Sequence, residues 1–543
     1  MRHRNQASLN TSALMRLSQL IISVVAGLCL TLLSSLSAHG SASPTAGPVS
    51  GGTPVTIDGI NFVKVSVGIR HALGLTSQGT VYSWGYNGYG ELGDGTTSNS
   101  SVPVQVKGIG GSGYLTDVTD ISAGGWFSLA VSNGHVVSWG LNSRGNLGIG
   151  TLTNSSVPLV VNGVGGSGEL TGINGVAAGF SEAYATNGTN VFAWGSNDHG
   201  QLGNNQVGTD ARSPVIVLGI NGTSPLTNVT AVAAGAFFGM AVSNGTLVSW
   251  GANFYGNLGD GTTTNRPYPV VVQGVGGSGT LSGITMLAAG ESFALASSGD
   301  ATYAWGDNFS GALGDGTLTN SSSPVRVIGL GGTGYLTGVT SLGAGLYQAL
   351  ALTTSGAVAW GSNVGGSLGI GSTTASNYPV RILGLGGQGN LTTATSIDGG
   401  EYYSMAATPS GMLGWGLSYS TLIGDGGAVT NTQVPVIGPN FQPLHVSFGI
   451  DNGTSLVASG NYWNVTSPQG AVGSVVLTAT ANIFGGTTPG VPATTSWNAG
   501  TFTYEPALAK TGAANFLPVL LASVGTVVLG VALLIFLRRQ GRQ

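Results

Sequence analysis

Residues that could do chemistry are few in this 543-residue chain. Beyond the first forty or so positions there are four histidines, His71, His135, His199 and His445. Each stands in a different stretch, and none has the close spacing that lets two imidazoles share a metal. Aspartates recur in Leu-Gly-Asp-Gly at Asp94, Asp260 and Asp315 and in Ile-Gly-Asp-Gly at Asp425. They lack the alternating carboxylates and terminal glutamate of a calcium loop, so they read as turn carboxylates. No two carboxylates are set by spacing for general acid and base work. The many Gly-x-Gly runs are followed by neither a lysine nor a helix start, which argues against a phosphate cradle. The single cysteine, Cys29, lies inside an apolar run near the start, leaving the rest without disulfide or thiolate metal site. The expectation is a non-enzyme with no catalytic residue, no metal and no cofactor.

What recurs instead is architecture. Trp84, Trp139, Trp194, Trp250, Trp305, Trp360 and Trp415 follow one another at intervals of 55 or 56 residues. A period that regular marks supersecondary units that bury their apolar faces by stacking on each other. Each tryptophan but the last opens a Gly-x-Asn-x-x-Gly-x-Leu-Gly segment, where glycine and asparagine allow sharp turns and one leucine can be pinned to the core. Fifteen residues before each of the last six tryptophans, and sixteen before Trp84, stands a glycine that usually closes an Ala-Gly pair. Between glycine and tryptophan lie two short apolar runs, split in three units by Asn133-Gly134, Asn187-Gly188 and Asn244-Gly245. Asn-Gly supplies two positive-φ positions, so a tight hairpin is predicted there. A Pro-Val strand and a Leu-Thr-x-Val-Thr strand complete four strands per unit. Seven such units describe an all-β seven-bladed β-propeller. Closing the ring by laying the strand at Pro435-Val436 beside Val65–Val67 is one arrangement the pattern allows.

The succession of Ala-Gly, hairpin and Trp-Gly-x-Asn-x-x-Gly-x-Leu-Gly resembles the RCC1 (regulator of chromosome condensation) repeat over residues 63–438. The last copy, from Trp415, lacks the asparagine and central glycine, as terminal units do. In this family His71 matches a position that often carries histidine beside the first hairpin, which implies a structural role.

The flanks carry different patterns. Arg2, Arg4 and Arg16 precede an apolar run and then small residues, so residues 1–43 read as a secretory signal peptide. Residues 44–62, PTAGPVSGGTPVTIDGINF, resemble the opening strands of an IPT/TIG domain, an immunoglobulin-like β-sandwich. Stretches starting at His445, Val465 and Phe502 within residues 439–506 resemble its later strands. The propeller then reads as a guest in one sandwich, since a closed ring brings its two ends together. A leader strand followed by an independent C-terminal β-domain is the alternative.

Residues 508–543 hold Leu508-Ala509-Lys510-Thr511-Gly512, an apolar stretch at 516–537 long enough for one transmembrane helix, and a basic tail, Arg538-Arg539-Gln540-Gly541-Arg542. This order resembles a Gram-positive cell-wall sorting signal in the Leu-Ala-x-Thr-Gly form read by class E sortases. The resemblance implies cleavage between Thr511 and Gly512, with sortase as the processing enzyme and peptidoglycan as the covalent anchor. Retention of the C-terminal helix in the membrane is the alternative anchor. Between the two termini nineteen acids face nine Lys/Arg, and charged residues make up only 6% of the chain. That balance argues against nucleic acid as a partner.

If chemistry is absent, recognition remains. The turn after Ala-Gly differs in every unit, with Trp126 and Phe127, Phe180, Phe237 and Phe238, Phe293, Tyr347, and Tyr402 and Tyr403. The loop after the tryptophan adds Tyr86, Tyr89, His199, Phe254, Tyr255 and Phe309. In an up-and-down blade these two turns share one end. Variable aromatics on a constant frame suit a recognition surface, because rings give large contact area at low entropy cost. Tyr89, Trp126, Phe127, Phe237, Phe238, Tyr255, Tyr347, Tyr402 and Tyr403 are the predicted ligand-binding face. About half of these loop rings should instead fold inward and seal the blades, Phe293 among them. The expected function is an exported, cell-wall- or membrane-anchored binding or adhesion protein of a Gram-positive-type bacterium, with a surface glycan or protein as ligand. The alternative is a secreted-type protein inhibitor or regulator, since the family contains β-lactamase-inhibitory proteins. Guanine-nucleotide exchange and wall-polymer hydrolysis are the less favoured readings.

Overall fold

The computed structural model describes residues 42–43, 46–48, 54–58, 61–409, 411–417, 422–424, 431–437, 441–448, 451–452, 456–459, 462–466, 473–488 and 491–505. Residues 61–437 contain seven four-stranded antiparallel sheets, each built from four consecutive strands. Blade 1 runs Phe62–Val67, His71–Thr76, Val81–Gly85 and Ser100–Gln105 from the channel outward. Blade 4 repeats it as Val229–Ala234, Phe238–Ser243, Thr246–Gly251 and Arg266–Val271. Blade 7 is Ser396–Gly399, Tyr403–Thr408, Gly411–Leu417 and Asn431–Ile437. The Leu-Thr-x-Val-Thr strand is therefore the innermost strand of the following blade.

No blade is shared between the two ends of the ring. Val436 pairs with Gly414 inside blade 7, and Val65 pairs with Gly74 inside blade 1. The closure imagined between Pro435-Val436 and Val65–Val67 is thus replaced by side-chain bonds. Val67 N–H donates to Asp398 Oδ2 at 2.9 Å and Val65 N–H to Ser396 Oγ at 3.2 Å.

The repeat motif has a physical account. All seven tryptophans are fully buried, and each indole N–H donates to a backbone carbonyl of the preceding blade: Trp139 to Glu91 at 2.7 Å, Trp250 to Gln201 at 2.9 Å, Trp305 to Asn257 at 3.0 Å. Trp84 reaches Leu422 of blade 7 at 3.1 Å, completing the circle. The motif asparagine folds its own loop: Asn308 Oδ1 accepts from Leu313 N–H at 2.9 Å while Nδ2 donates to the carbonyls of Thr317 and Thr319 at 3.2 Å. The Leu-Gly glycine must be glycine: at Gly314 φ is +62°, and a Cβ there would stand 2.7 Å from Trp360 Nε1.

Asn133-Gly134 and Asn244-Gly245 adopt the predicted paired positive φ. Asn187-Gly188 does not: only Gly188 has positive φ. That turn is longer, and Asn187 Oδ1 caps it by accepting from Thr189 and Asn190 N–H at 3.0 and 2.8 Å.

Two further sheets combine strands from before and after the ring. Pro54–Asp58 pairs antiparallel with Tyr462–Thr466, and Ala46–Pro48 pairs parallel with Val491–Glu505. Among the described residues no helix is long and apolar enough to cross a membrane. The predicted signal peptide lies almost wholly outside them, as do the sorting pentapeptide and the stretch 516–537.

Candidate functional site

The turns that follow the first and third strands of each blade emerge at the same end of the ring, and ring contacts between them build the face. Trp126, from the first turn of blade 2, meets Tyr86 and Tyr89 of blade 1 edge-on at 5.4 and 6.1 Å between centroids. Arg70 lies over Trp126 at 5.8 Å, and its Nε is 3.6 Å from Glu401 Oε2. A second cluster joins blades 3 and 4: Phe180 meets Phe237 at 5.6 Å, and His199 touches both Phe237 at 5.8 Å and Phe254 at 5.0 Å. Tyr255 continues to Phe309 of blade 5 at 5.8 Å, and Tyr347 stacks on Tyr402 at 6.0 Å. The outer members stand in solvent: Phe309 is 68% exposed, Phe254 53%, Tyr89 and Tyr255 40% each.

The predicted face divides in two. Tyr89, Trp126, Phe237, Tyr255, Tyr347 and Tyr402 reach the surface or half reach it. Phe127, Phe238 and Tyr403 do not: each opens the second strand of its blade and is almost completely buried at the seam with the next blade, so none of the three can touch a ligand. Phe293 occupies the equivalent place in blade 5, sealed as expected. Their fate follows from strand alternation, because a strand's first residue points into the inter-blade gap while the one before it stays in the turn.

Electrostatics of the face come from groups the sequence did not single out. Arg144 pairs with Asp198, and its Nε lies 2.8 Å from Asp210 Oδ2, bridging blades 2 and 3. Its guanidinium holds the Asp198 carboxyl below the usual carboxylate range. Glu91 is buried beneath Tyr86 and Tyr89, where burial pushes its carboxyl up to about 7. Glu91 holds the place taken by Asn146, Gln201 and Asn257 in other repeats, and comparing repeats position by position would have exposed it.

The turn aspartates are occupied with their own loops. Asp94, Asp260 and Asp315 each accept from the N–H of the threonine two residues on, at 2.9 to 3.0 Å. Among the described residues no three His, Cys, Asp or Glu are grouped to hold a metal. Asp425 lies outside them. His71 is buried, its Nε2 is 2.9 Å from Ser128 Oγ, and burial lowers its pKa to about 4, so the ring is neutral and structural.

A channel of about 280 Å³ runs through the centre, lined by the innermost strands. Its polar groups are used as stitches: Ser66 and Ser122 oxygens accept from Ala123 and Ala178 N–H at 3.0 Å, and Lys64 pairs with Asp120. Asp398, half-buried in the channel wall, is raised to about 6 by desolvation there.

Comparison with known proteins agrees with this geometry. The RCC1-like domain matches residues 38–337, and the regulator of chromosome condensation (RCC1) repeat matches residues 358–407. The chain is 30% identical over 369 residues to the ultraviolet-B receptor UVR8 of Arabidopsis thaliana, covering 66% of this chain and 78% of that one. It is 28% identical over 369 residues to the E3 ubiquitin-protein ligase HERC2 of Homo sapiens, covering 65% of this chain but only 7% of HERC2. Among solved structures, human WBSCR16 aligns with a TM-score of 0.54 at 23% identity over 64% of this chain and 87% of that one. Yeast RCC1 (Prp20) bound to Kap60 gives 0.54 at 18% over 75% and 90%. At those identities the two structures speak for the fold alone. With seven blades, the tryptophan-to-carbonyl circle and a family match over more than half its length, the chain belongs to the RCC1-like propeller family.

Proposed function

We propose that this protein is an exported, wall- or membrane-anchored binding module of a Gram-positive-type bacterium whose propeller grips a protein partner with the aromatic loop face. The observation that carries this reading is the set of neighbouring rings across blades 3 to 5: half-buried Phe180, Phe237 and His199 leading to exposed Phe254, and exposed Tyr255 beside Phe309. Neighbouring rings left in water at this density mark an interaction site on a folded surface. The address rests on sequence: the apolar leader, and the order of Leu508-Ala509-Lys510-Thr511-Gly512, apolar span and basic tail. The pairing of Pro54–Asp58 with Tyr462–Thr466 supports a sandwich that receives the propeller as an insert. No catalytic role is assigned, and glycan is the second ligand class for the same rings.

The test is affinity capture on immobilised full-length protein beside Phe254→Ala/Phe309→Ala, both rings chosen because they are exposed and can be removed without unfolding a blade. Retention of a partner by the parent and its loss at least tenfold in the variant supports the face; equal retention assigns binding elsewhere. Competition by wall polysaccharide, with no protein retained, would move the ligand to the glycan class.

A further inference from the structure

Because the blades are copies, each side chain can be read against its counterparts. The residue that opens the second strand of a blade is His71, Phe127, Glu182, Phe238, Phe293, Gln348 or Tyr403, and every one is buried at the seam with the next blade. Where this residue is polar and neutral it donates across the seam. Gln348 Nε2 donates to the carbonyls of Gly400 and Tyr403 in blade 7, 3.1 Å each. The Tyr403 hydroxyl lies 3.1 and 3.0 Å from the carbonyls of Gly68 and His71 in blade 1. A polar group at this place thus meets acceptors across the seam and is matched to them only as a donor.

Between blades 3 and 4 that place is held by Glu182. Its Oε2 accepts from Ser181 N–H at 3.2 Å, much as Gln348 Oε1 accepts from Tyr347 N–H at 3.4 Å. Its Oε1 is buried and has no partner. A Cβ built on Gly179 would stand 2.4 Å from Glu182 Oε1 and 2.6 Å from the Gly235 carbonyl oxygen. One built on Gly345 would stand 2.3 Å from both Gln348 Nε2 and the Gly400 carbonyl oxygen. The carboxyl oxygen therefore occupies the amide nitrogen's place, aimed at a carbonyl, where an ionised carboxylate would set two acceptors against each other.

We propose that Glu182 is a neutral carboxylic acid whose Oε1–H donates to the Gly235 carbonyl, forming a proton latch that joins blade 3 to blade 4 and opens when the proton leaves. Among the described residues, its surroundings supply no countercharge. Tyr184, on its own strand, donates its hydroxyl to the Gln201 carbonyl at 2.6 Å. Blade 2 brings the amide of Asn146, which donates to the Ser181 carbonyl at 3.2 Å. Blade 4 brings the Gly235 backbone. The nearest charged group in the hydrogen-bond network is Arg144 with its partners Asp198 and Asp210, reached through Ser196, whose N–H donates to the Ser181 carbonyl at 3.0 Å. Burial pushes the Glu182 carboxyl well above its ordinary range. The latch's contribution is thus complete below the unfolded value of 4.5 and is lost as pH rises toward the folded one. Phe180 and Phe237 face each other across this same seam, so opening it would separate a pair of rings in the binding face; that consequence rests on the proposed function, whereas the latch does not.

The test uses the full-length protein without ligand. Infrared difference spectra between wild type and Glu182→Gln at neutral pH should show a protonated-carboxyl band lost in the variant. Thermal melts should fall as pH rises from about 5 to about 9 in the wild type, less in Glu182→Gln, and more in Gln348→Glu, which installs a second acid at the same place. An unchanged carboxyl band in Glu182→Gln, or a Gln348→Glu variant that adds only carboxylate absorption, overturns the latch. Should Glu182→Gln not fold, the Gln348→Glu arm decides alone. Neither result depends on a partner, so the binding face stands or falls separately.

Discussion

Buried ionisable residues set the pH behaviour of this ring. His71 is neutral when folded, with its pKa lowered from 6.5 to about 4, so its contribution is present above 6.5 and is lost as pH falls toward 4. Glu91 and Asp398 work in the opposite sense. Raised to about 7 and about 6, they stabilise fully below 4.5 and 3.8 respectively, and that stabilisation is lost as pH rises through the folded values. Glu91 Oε1, like Glu182 Oε1, is a buried oxygen without a partner where other repeats place a donor: Asn257 Nδ2 reaches the Ala252 carbonyl at 2.6 Å and Ser367 Oγ the Ser362 carbonyl at 3.1 Å. Glu91→Gln should therefore flatten the decline in melting temperature between about pH 5 and pH 7, measured by calorimetry; an unchanged profile would show that Glu91 titrates normally.

At the scale of one blade, stability sits in the loop asparagine and the tryptophan. Asn308→Ala strands Leu313 N–H and removes the donor for two carbonyls, which should cost about 3 kcal/mol by chemical denaturation. Trp305→Phe keeps much of the apolar bulk but leaves the Asn257 carbonyl without its indole, and should cost about 2 kcal/mol. Exposed rings behave differently: Phe309→Ala should change stability by less than about 0.5 kcal/mol while weakening partner retention. A large loss of stability in Phe309→Ala would place that ring among the structural ones.

At the scale of the whole molecule stand closure of the ring and the proposed address. The two ends of the ring are held by Trp84 to Leu422, Tyr403 to Gly68 and His71, and Asp398 to Val67 rather than by a shared sheet. Tyr403→Phe removes the hydroxyl and should cost about 1.5 kcal/mol, with hydrogen exchange rising first in blades 1 and 7. On the proposed sorting signal, Thr511→Ala should shift the protein from a boiled-detergent-insoluble wall fraction to the membrane fraction. Unchanged fractionation would leave the apolar span as the anchor.

By itself the sequence determined the number of blades and their internal order, because every blade carries its own tryptophan, and every blade but the last its own loop asparagine, whose bonds stay within the loop at fixed offsets. The hairpins at Asn133-Gly134 and Asn244-Gly245 were legible for the same local reason. Asn187 stands seven residues before its tryptophan, where Asn133 and Asn244 stand six before theirs, and that shift hid the longer turn at Asn187, where a capping side chain took over from positive φ. Only the tertiary structure decided which aromatic rings face water, since Trp126 and Phe127 are adjacent in sequence and strand alternation sends one to the surface and the other into a seam. It also decided that blades 1 and 7 close without exchanging a strand. Above all it set Glu182 beside a carbonyl: a one-dimensional pattern records an acid at that position, but the carbonyl of Gly235 belongs to the neighbouring blade, which is distant in the chain and adjacent only once the blades pack.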